Sequence, residues 1–309
     1  MKYFVYLPDY DYYRFLFGHA KTRYDVEYIY DFNIRTSNPV LRFLFRLHYW
    51  GVLNSLFKLP GKRIWYKYFV PEIAGDEPVC FIFYSSRAGQ YEPGFYEYLR
   101  RHYNCKLALL ISNPVEFERG YYDLDFMKRT MDLVCTYNEH DVAKYGLALH
   151  PPLLFALENL PVKPMGERSI DVLFVGKDKG RRDYIEALEK KLTAGGLKCS
   201  FFIADGSRRV PYADLVRMTG DAKCIVNLLQ AGSEGVTLRD IDAWNYGCFL
   251  MTNNRAPELR EMLREGQLID IDGVDDAVCE AIRTRTEEFP PKEAGSLDGF
   301  YAWVAESCK

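Results

Sequence analysis

DVLFVGKDKGRRD (residues 171–183) and CIVNLLQAGSEGVTLRDIDAWNYGCFLMTNN (residues 224–254) are the stretches that decide the fold of this chain of 309 residues. They belong to a region in which short apolar runs alternate with longer segments of helical character. The runs are 171–175, 199–204, 224–229 and 248–252. This alternation predicts βαβ units on a buried parallel sheet. Ligands of open α/β sheets bind outside the carboxyl ends of the strands, so the loops after the first and third runs are predicted to border one crevice.

The loop after the first run is basic and contains glycine. Its residues are Gly176, Lys177, Asp178, Lys179, Gly180 and Arg181. The loop after the third run opens a helix. Thr237 and Asp240 have the spacing of a capping box, which places the helix start near Thr237, and Gly247 is expected to end the helix. Free N–H groups and the dipole at such a helix start suit a phosphate.

Two acids lie beside this predicted phosphate site. Glu234 precedes the helix, and Asp242 lies within it, about a turn past the cap. An ionised carboxylate is a strong acceptor and pairs well with two adjacent hydroxyl groups. The hydroxyl groups of a sugar or a ribose therefore explain acids at this position.

EGVTLRDIDA, which runs from Glu234 through Asp242 to the next alanine, resembles a family motif. It is similar to the donor-binding half of GT-B glycosyltransferases of the group 1 type and of their bacterial relatives in lipopolysaccharide or capsule biosynthesis. That family has a Glu, seven residues and a second Glu in a pattern like EGFGLxxLEA, and here Asp242 replaces the second Glu. The resemblance covers roughly the second half of the chain. It implies an α/β fold of two Rossmann-like domains facing a cleft (GT-B), with Glu234 on the donor sugar and Asp242 on the nucleotide ribose.

The resemblance also implies roles for other residues of the donor site. Backbone N–H groups of Thr237 and Leu238 would meet the diphosphate, and so would Lys177 together with Lys179 or Arg181. The remaining predicted contacts are Gly176, Tyr212 at the nucleobase edge, and Arg239, which faces either phosphate or solvent.

A general base or a stabilising histidine is expected from the N-terminal domain. In many retaining relatives a His follows a strand there, and Asn113 stands at that place. The candidates are His19, His48, Asp9, Asp11 and Glu116. Glu234, Lys177 and His19 are the predicted catalytic residues. A lone histidine is also commonly a hydrogen-bonded structural residue, so both interpretations of His19 stay open.

The composition of the chain disfavours several classes of protein. The net charge of −3 and the pI near 6.0 disfavour a general nucleic-acid binder. The eight cysteines show no C-x-x-C spacing, which favours reduced core residues over disulfides or a zinc site. No signal peptide is recognised, and no apolar run reaches the roughly 18 residues of a membrane span. We therefore expect a cytoplasmic protein, either soluble or peripheral on the inner face of the cell membrane.

The predicted domains are residues 1–150, an acceptor-side α/β domain, and residues 170–297, the donor-binding domain. A proline-rich linker, 149–169, joins them, and residues 298–309 form a last helix that could cross back. In the first domain, strands are predicted at 2–7, 79–84, 106–111 and 133–136, and helices at 94–102, 124–130 and 140–145. The two Asp-x-Asp sequences are predicted to be ordinary structure and not metal sites. Residues 9–13 are expected to form a turn, and residues 270–272 part of a strand.

Residues 35–70 carry seven Lys and Arg residues and no acid, interleaved with aromatic and aliphatic side chains. Such a segment can bind an anionic membrane surface, which would suit a lipid-linked acceptor. The alternative is a helical hairpin that packs on the core, with its cations along an acceptor groove or in water.

The resulting expectation is a metal-independent glycosyltransferase. It would move a sugar from a UDP- or GDP-linked donor, its co-substrate and not a bound cofactor, to a glycan or lipid-linked acceptor in bacterial surface polysaccharide biosynthesis. One alternative is a sugar-nucleotide epimerase or hydrolase on the same fold. Another is a non-catalytic envelope or spore assembly protein of that fold. A nicotinamide-dependent dehydrogenase is disfavoured because no G-x-G-x-x-G follows a predicted strand.

Overall fold

A computed structural model describes the chain except for residues 21, 31, 51–58, 119, 151–160, 205–209, 231–234, 291–296 and 309. The chain divides into two compact units. Unit 1 comprises Met1–Arg14, Thr22–His150 and Tyr301–Lys309, and unit 2 comprises Phe15–Lys21 and Pro151–Phe300. Each unit contains one parallel β-sheet with helices, so the protein is a mixed α/β chain of two Rossmann-like units.

Unit 1 contains a six-stranded sheet in the order β2-β1-β3-β4-β5-β6, and every neighbouring pair is parallel. The strands are β1 (Lys2–Tyr6), β2 (Val26–Ile29), β3 (Val79–Tyr84), β4 (Cys105–Ile111), β5 (Leu133–Thr136) and β6 (Ala148–Leu149). Strand β3 reads VCFIFY, and all six residues are buried. A continuous apolar run of this kind is typical of a strand that is covered on both faces.

Short helices connect these strands. They are α1 (Asp11–His19), α2 (Pro39–Trp50), α3 (Tyr66–Phe69), α4 (Ser85–Ala88), α5 (Pro93–His102), α6 (Val115–Glu118), α7 (Leu124–Thr130) and α8 (Glu139–Tyr145). A 3₁₀ turn at Lys62–Trp65 precedes α3. The core between sheet and helices is rich in aromatic rings, for example Tyr6 stacked on Phe83 at 4.6 Å between ring centroids.

Unit 2 contains a five-stranded parallel sheet in the order β11-β10-β9-β7-β8. The strands are β7 (Ile170–Lys177), β8 (Cys199–Ala204), β9 (Ala222–Asn227), β10 (Phe249–Thr252) and β11 (Leu268–Asp270). The helices that follow are α9 (Arg182–Ala194), α10 (Tyr212–Gly220), α11 (Leu238–Asn245), α12 (Glu258–Met262) and α13 (Asp276–Thr284). The last helix, α14 (Leu297–Ser307), starts in unit 2, and from Tyr301 onward its residues belong to unit 1. Two 3₁₀ turns lie at Met165–Glu167 and Ile271–Gly273.

Helices cover both faces of the unit 2 sheet, because alternate strand residues point to opposite faces. On one face, Val172 and Phe174 pack with Ile185 of α9 and Ile282 of α13. On the other face, strands β9 and β10 contribute side chains that pack against α11 and α12. The sheet is therefore doubly wound, which leaves the carboxyl ends of its strands open for loops.

Most predicted elements are confirmed, with shifts of one or two residues at their ends, but two predictions are wrong. Residues 9–13 are not a turn throughout, because α1 begins at Asp11, where Tyr13 is buried with its ring 5.2 Å from Tyr84. Residues 270–272 are not a strand. Strand β11 ends at Asp270, whose carboxylate accepts the N–H of Asp272 at 3.1 Å, and this side-chain turn diverts the backbone into a 3₁₀ turn.

Candidate functional site

The strand order of unit 2 reverses beside β7. From β7 the chain first adds β8 on one side, and it then returns to add β9, β10 and β11 on the other side. The order reverses between β7 and β9, and ligands of open α/β sheets bind at the carboxyl ends of the strands at such a switch point. The loops that leave β7 and β9 are the two that the sequence pattern selected. We call the space that they border the unit 2 crevice.

The basic loop is short, because Gly176 and Lys177 are still part of strand β7 and α9 begins at Arg182. The Asp178 carboxylate accepts the backbone N–H of Arg181 at 3.1 Å, which closes a tight turn. Lys179 and Gly180 both have left-handed backbone, with φ of 50° and 74°. Left-handed backbone disfavours a lysine, so the tight turn holds Lys179 in a strained conformation.

The cations of this loop differ in their contacts. The Arg181 guanidinium donates to the carbonyl oxygen of Leu228 after β9 at 2.5 Å, so it ties the two loops together. Lys177 and Lys179 are exposed, and in the described part of the chain neither ammonium has a hydrogen-bond or ion-pair partner. Partial burial and the charges of Arg181 and Lys177 lower the pKa of Lys179. Like charges therefore lie close together at this edge of the sheet.

Helix α11 starts as the sequence predicted. Thr237 is its N-cap, and the Asp240 carboxylate accepts the Thr237 N–H at 2.7 Å in a capping box. Asp240 is fully buried, and burial raises its pKa. It also accepts from the amides of Asn227, at the end of β9, and Asn254, after β10, at 2.7 and 3.2 Å. Gly247 has φ of 58° just past the helix end, which confirms the predicted stop.

The two asparagines were missed by sequence reasoning. They follow neighbouring strands at the same sheet edge, so a search for polar residues at strand ends would have found them. Their amides hold Asp240 in place, and Asp240 orients the helix start. They therefore position the start of α11 through Asp240.

Arg239 of α11 contacts strand β7 and lies close to Asp242 of the same helix. One guanidinium nitrogen of Arg239 donates to the carbonyl oxygen of Val175 in β7, and another lies 3.9 Å from the Asp242 carboxylate. Burial and, to a lesser degree, the nearby Asp240 raise the pKa of Asp242 to about 6, although Arg239 opposes this shift. Arg239 is thus a link between the helix and strand β7, and Asp242 is a carboxylate that titrates just below neutral pH.

Tyr212 and His19 lie in the same unit. Tyr212 opens α10, and its charge together with that of Asp242 adds to the burial that raises the pKa of Tyr246. The ring of Phe15 lies 5.4 Å from Tyr212 and 4.2 Å from His19, and a His19 nitrogen lies 2.8 Å from the Phe15 carbonyl oxygen. Tyr212 and Asp242 thus both lie within electrostatic range of Tyr246, and Phe15 contacts both Tyr212 and His19.

The remaining predicted residues divide into two groups. Leu238 is the first residue of α11, and its side chain is exposed. Glu234 lies outside the described residues, so its predicted contact with the donor sugar stays a prediction.

Among the described residues, no group of three or more His, Cys, Asp or Glu side chains could hold a metal ion. No described helix combines the length and the apolar character that a membrane span requires.

Comparison with known proteins gives distant structural likenesses only. No family model matches the sequence, and no curated protein matches it. The chain is similar to the crystal structure of an alpha1,3-fucosyltransferase, with a TM-score of 0.38 and 11% sequence identity. That match covers 77% of this chain and 93% of the fucosyltransferase chain.

Proposed function

We propose that the unit 2 crevice binds the diphosphate of a nucleotide sugar and that the protein is a glycosyltransferase of the GT-B type. The observation that carries this proposal is the pair of ammonium groups of Lys177 and Lys179. Both lie at the switch point of the sheet without a partner among the described residues. A diphosphate would pair with them and relieve their mutual repulsion.

Other residues of the crevice support a nucleotide sugar over a simple phosphate. The start of α11 offers the backbone N–H groups of Leu238, as predicted, and of Arg239, which lack acceptors within the described chain. The Thr237 N–H, which was also predicted to meet the diphosphate, donates to the Asp240 carboxylate instead. Asp242 lies a turn further on and would accept the ribose hydroxyl groups, and Tyr212 would border the base. Glu234 would bind the hydroxyl groups of the sugar. The donor is UDP- or GDP-linked, and the acceptor is a glycan or lipid-linked glycan of a bacterial surface polysaccharide.

The reaction that this site suits needs charge stabilisation more than covalent catalysis. The oxygen of an acceptor hydroxyl forms a bond to the anomeric carbon, and the bond from that carbon to the diphosphate oxygen breaks. The electron pair of the broken bond stays on the diphosphate, where Lys177 and Lys179 would neutralise the added charge without a metal ion. The acceptor proton passes to a base, for which His19 is our candidate.

Binding of UDP and GDP tests the proposal first. We expect one of them to raise the melting temperature, and Lys177→Ala to weaken its binding in calorimetry by about 10- to 100-fold, as loss of a charged hydrogen bond does. Lys190→Ala is the matched control, because Lys190 is an exposed lysine of α9 away from the crevice. The absence of any thermal shift with millimolar UDP or GDP would overturn the proposal.

Turnover tests the reaction itself. With a nucleotide-sugar donor and a polysaccharide acceptor, Glu234→Ala and Lys177→Ala should abolish transfer while the melting temperature without ligand stays unchanged. Consumption of the donor in the absence of any acceptor would contradict transfer and indicate a hydrolase or an epimerase. Nucleotide binding without any turnover would indicate a non-catalytic protein.

A further inference from the structure

Unit 1 has its own switch point and a cavity lies there. The sheet order β2-β1-β3-β4 reverses between β1 and β3. The loops that follow β1, β3 and β4 line a cavity of about 460 Å³, which we call the unit 1 pocket. This volume is within the range of small-molecule sites, about 300 to 1,000 Å³, and its position follows the rule for open sheets.

Tyrosine rings form much of the wall of the unit 1 pocket. Tyr10, Tyr12 and Tyr13 come from the loop and helix after β1, and neighbouring rings lie 5.6 and 4.2 Å apart. Tyr121, from the loop after β4, also lines the pocket. Tyr10 and Tyr121 remain 53% and 61% exposed, so each presents a flat ring face and a hydroxyl group to a ligand.

Gly89 fixes the position of the Tyr121 backbone. A Cβ atom at Gly89 would lie 1.7 Å from the Tyr121 carbonyl oxygen, so only glycine admits this approach. The loop that carries Tyr121 is therefore seated directly on the end of α4. The close approach of the Gly89 and Tyr121 backbones therefore positions the part of the pocket wall that Tyr121 forms.

One buried carboxylate provides the polar end of the unit 1 pocket. Glu118 is 2% exposed, and it accepts from the Asn113 amide at 2.8 Å and from the Tyr122 hydroxyl at 3.4 Å. Burial raises the pKa of Glu118, while the hydrogen bonds that it accepts lower it. Neutral donors thus surround the carboxylate, and no cation pairs with it among the described residues.

The chemistry of this lining selects the ligand. No Lys, Arg or His lines the pocket among the described residues, which disfavours a phosphate. Glu118 is the only carboxylate in the described lining, and one carboxylate is too few for a metal cation, which disfavours a cation. The ligand that fits is neutral, with flat apolar faces for tyrosine rings and hydroxyl groups for Glu118 and Gln90. We infer that the unit 1 pocket binds a hexopyranose ring, and on the proposed function this ring belongs to the acceptor.

Ligand-observed NMR with methyl hexopyranosides tests this inference on the full chain. We expect saturation transfer to at least one of the methyl glucoside, galactoside and mannoside, and an affinity loss of about tenfold or more in Tyr10→Ala. Glu118→Gln keeps the shape of the side chain and should weaken binding similarly. Tyr184→Ala, at a comparably exposed tyrosine of unit 2, should leave binding unchanged.

The outcomes separate this inference from the proposed function. Failure of all three glycosides to bind, or binding that survives both pocket variants, overturns the pocket assignment even when UDP or GDP raises the melting temperature. Displacement of a glycoside by inorganic phosphate also overturns it, because a neutral pocket should not bind phosphate. A glycoside that binds in the absence of any nucleotide effect would leave the pocket assignment intact and the proposed function refuted.

A second and independent feature is helix α2, which has two apolar faces. On the inner face, Phe45 is buried, and Leu41 and Tyr49 pack with it against the core of unit 1. On the outer face, side chains at helical spacing are exposed to solvent. They are Val40 (61% exposed), Phe43 (60%), Leu44 (45%), Leu47 (48%) and Trp50 (64%). Ile64, in the 3₁₀ turn before α3, is similarly exposed.

The charged side chains of α2 and of the 3₁₀ turn before α3 have one sign. Arg42 and Arg46 are exposed on α2, Arg63 is exposed in the 3₁₀ turn, and none of the three has an acidic partner within the described residues. Residues 35–70 contain no acid at all. A second copy of this chain would bring an equally positive face and would be repelled. An anionic surface would be attracted, and each Lys or Arg near such a surface contributes about 1 kcal/mol.

We propose that the outer face of α2 docks on the surface of an anionic lipid bilayer. The apolar side chains would enter the headgroup boundary, as amphipathic helices do, while the arginines pair with lipid phosphates. Trp50 at the helix end suits the interface because its ring is apolar and its N–H is a donor. Docking involves residues outside the unit 2 crevice, and it can succeed or fail independently of nucleotide binding.

Co-sedimentation with vesicles tests this proposal. We expect the chain to bind vesicles that contain phosphatidylglycerol, and Phe43→Ser with Leu47→Ser to weaken binding by about tenfold or more. Leu149→Ser, at an exposed leucine of β6, is the control. Raised salt should weaken binding, and pure phosphatidylcholine vesicles should bind less. No binding, or equal binding by the double variant, overturns the proposal. So does a dimer in light scattering that the double variant abolishes.

Discussion

Lys179 has an unfavourable backbone conformation and is also a proposed ligand contact. Among the described residues it is the only one other than glycine with left-handed φ. An L-residue in this conformation costs about 1–2 kcal/mol, and a glycine there costs about 0.5–1 kcal/mol of chain entropy instead. We predict that Lys179→Gly raises the free energy of unfolding by up to about 1 kcal/mol in urea titration. The same change should weaken nucleotide binding, because it removes a cation from the crevice.

The comparison with Lys179→Ala separates the two effects. Alanine removes the ammonium but keeps a Cβ atom in the left-handed conformation, so it should lose affinity without gaining stability. If Lys179→Gly is less stable than the unchanged chain, the lysine side chain contributes packing that its exposure does not suggest.

Asp242 should make stability depend on pH. Its pKa in the folded chain is about 6, above the ordinary value of 3.8, so its ionisation opposes folding. The carboxyl group is neutral in both states below pH 3.8. From there the cost grows until about pH 6, and it is constant at higher pH. We predict that Asp242→Asn, which cannot ionise, has a higher melting temperature than the unchanged chain at neutral pH. This difference should shrink as the pH falls below 6, and a difference independent of pH would contradict the assignment.

At the scale of elements, the start of α11 depends on Asp240. This carboxylate caps the helix and also holds Asn227 and Asn254 at the ends of two strands. Its removal costs a helix cap, about 1 kcal/mol, and leaves buried amides without an acceptor, at about 1–3 kcal/mol. We predict that Asp240→Ala lowers the free energy of unfolding by about 2–4 kcal/mol in urea titration.

Asp214 is the matched control for this prediction. It is also the third residue of its helix, α10, but it is more exposed, and it pairs with Arg217 on the surface. Loss of a surface pair of this kind costs at most about 1 kcal/mol. Equal losses of stability for Asp240→Ala and Asp214→Ala would show that the buried network contributes nothing beyond the position in the helix.

The elements also show what the sequence could predict. Strand β3 and the cap of α11 depend on residues close in sequence, so VCFIFY and the Thr237–Asp240 spacing were sufficient. Strand β2 was missed, because it is a short edge strand whose first three residues are only half-buried. The amides that hold Asp240 lie 13 and 14 residues away from it, and no local spacing connects them. Contacts that depend on sheet order need the fold first.

At the scale of the whole molecule, the two units repeat one strand order. Numbered within each sheet, the strands run 2-1-3-4-5, with a sixth strand added in unit 1. The family resemblance rests on residues of the second half of the chain, and it does not extend to residues 1–150. The unit 1 pocket and Glu118 were therefore missed, since the lining comes from three loops that are distant in sequence. Only the strand order brings Tyr10, Gln90 and Glu118 to one place.

Both ends of the chain belong to unit 1, and this has a consequence for stability. Tyr301 is 1% exposed, its ring lies 4.8 Å from that of Tyr3 in β1, and its carbonyl oxygen accepts the Tyr3 hydroxyl at 2.9 Å. The Tyr28 hydroxyl lies 3.1 Å from the Tyr301 hydroxyl. The last helix thus covers the strands that begin the chain. Truncation of a large buried aromatic residue to alanine costs about 3–5 kcal/mol.

We predict that Tyr301→Ala destabilises unit 1 by this amount, although it lies at the far end of the sequence from β1. The measurement is urea unfolding followed at two sites. Hydrogen exchange of the β3 amides reports on unit 1, and exchange of the β9 amides reports on unit 2. Tyr301→Phe is the control, since it keeps the ring and removes the hydroxyl group that contacts Tyr28, at about 1 kcal/mol per hydrogen bond lost. If Tyr301→Ala accelerated exchange in β9 while β3 stayed protected, the last helix would stabilise unit 2 instead. The assignment of residues 301–309 to unit 1 would then be wrong.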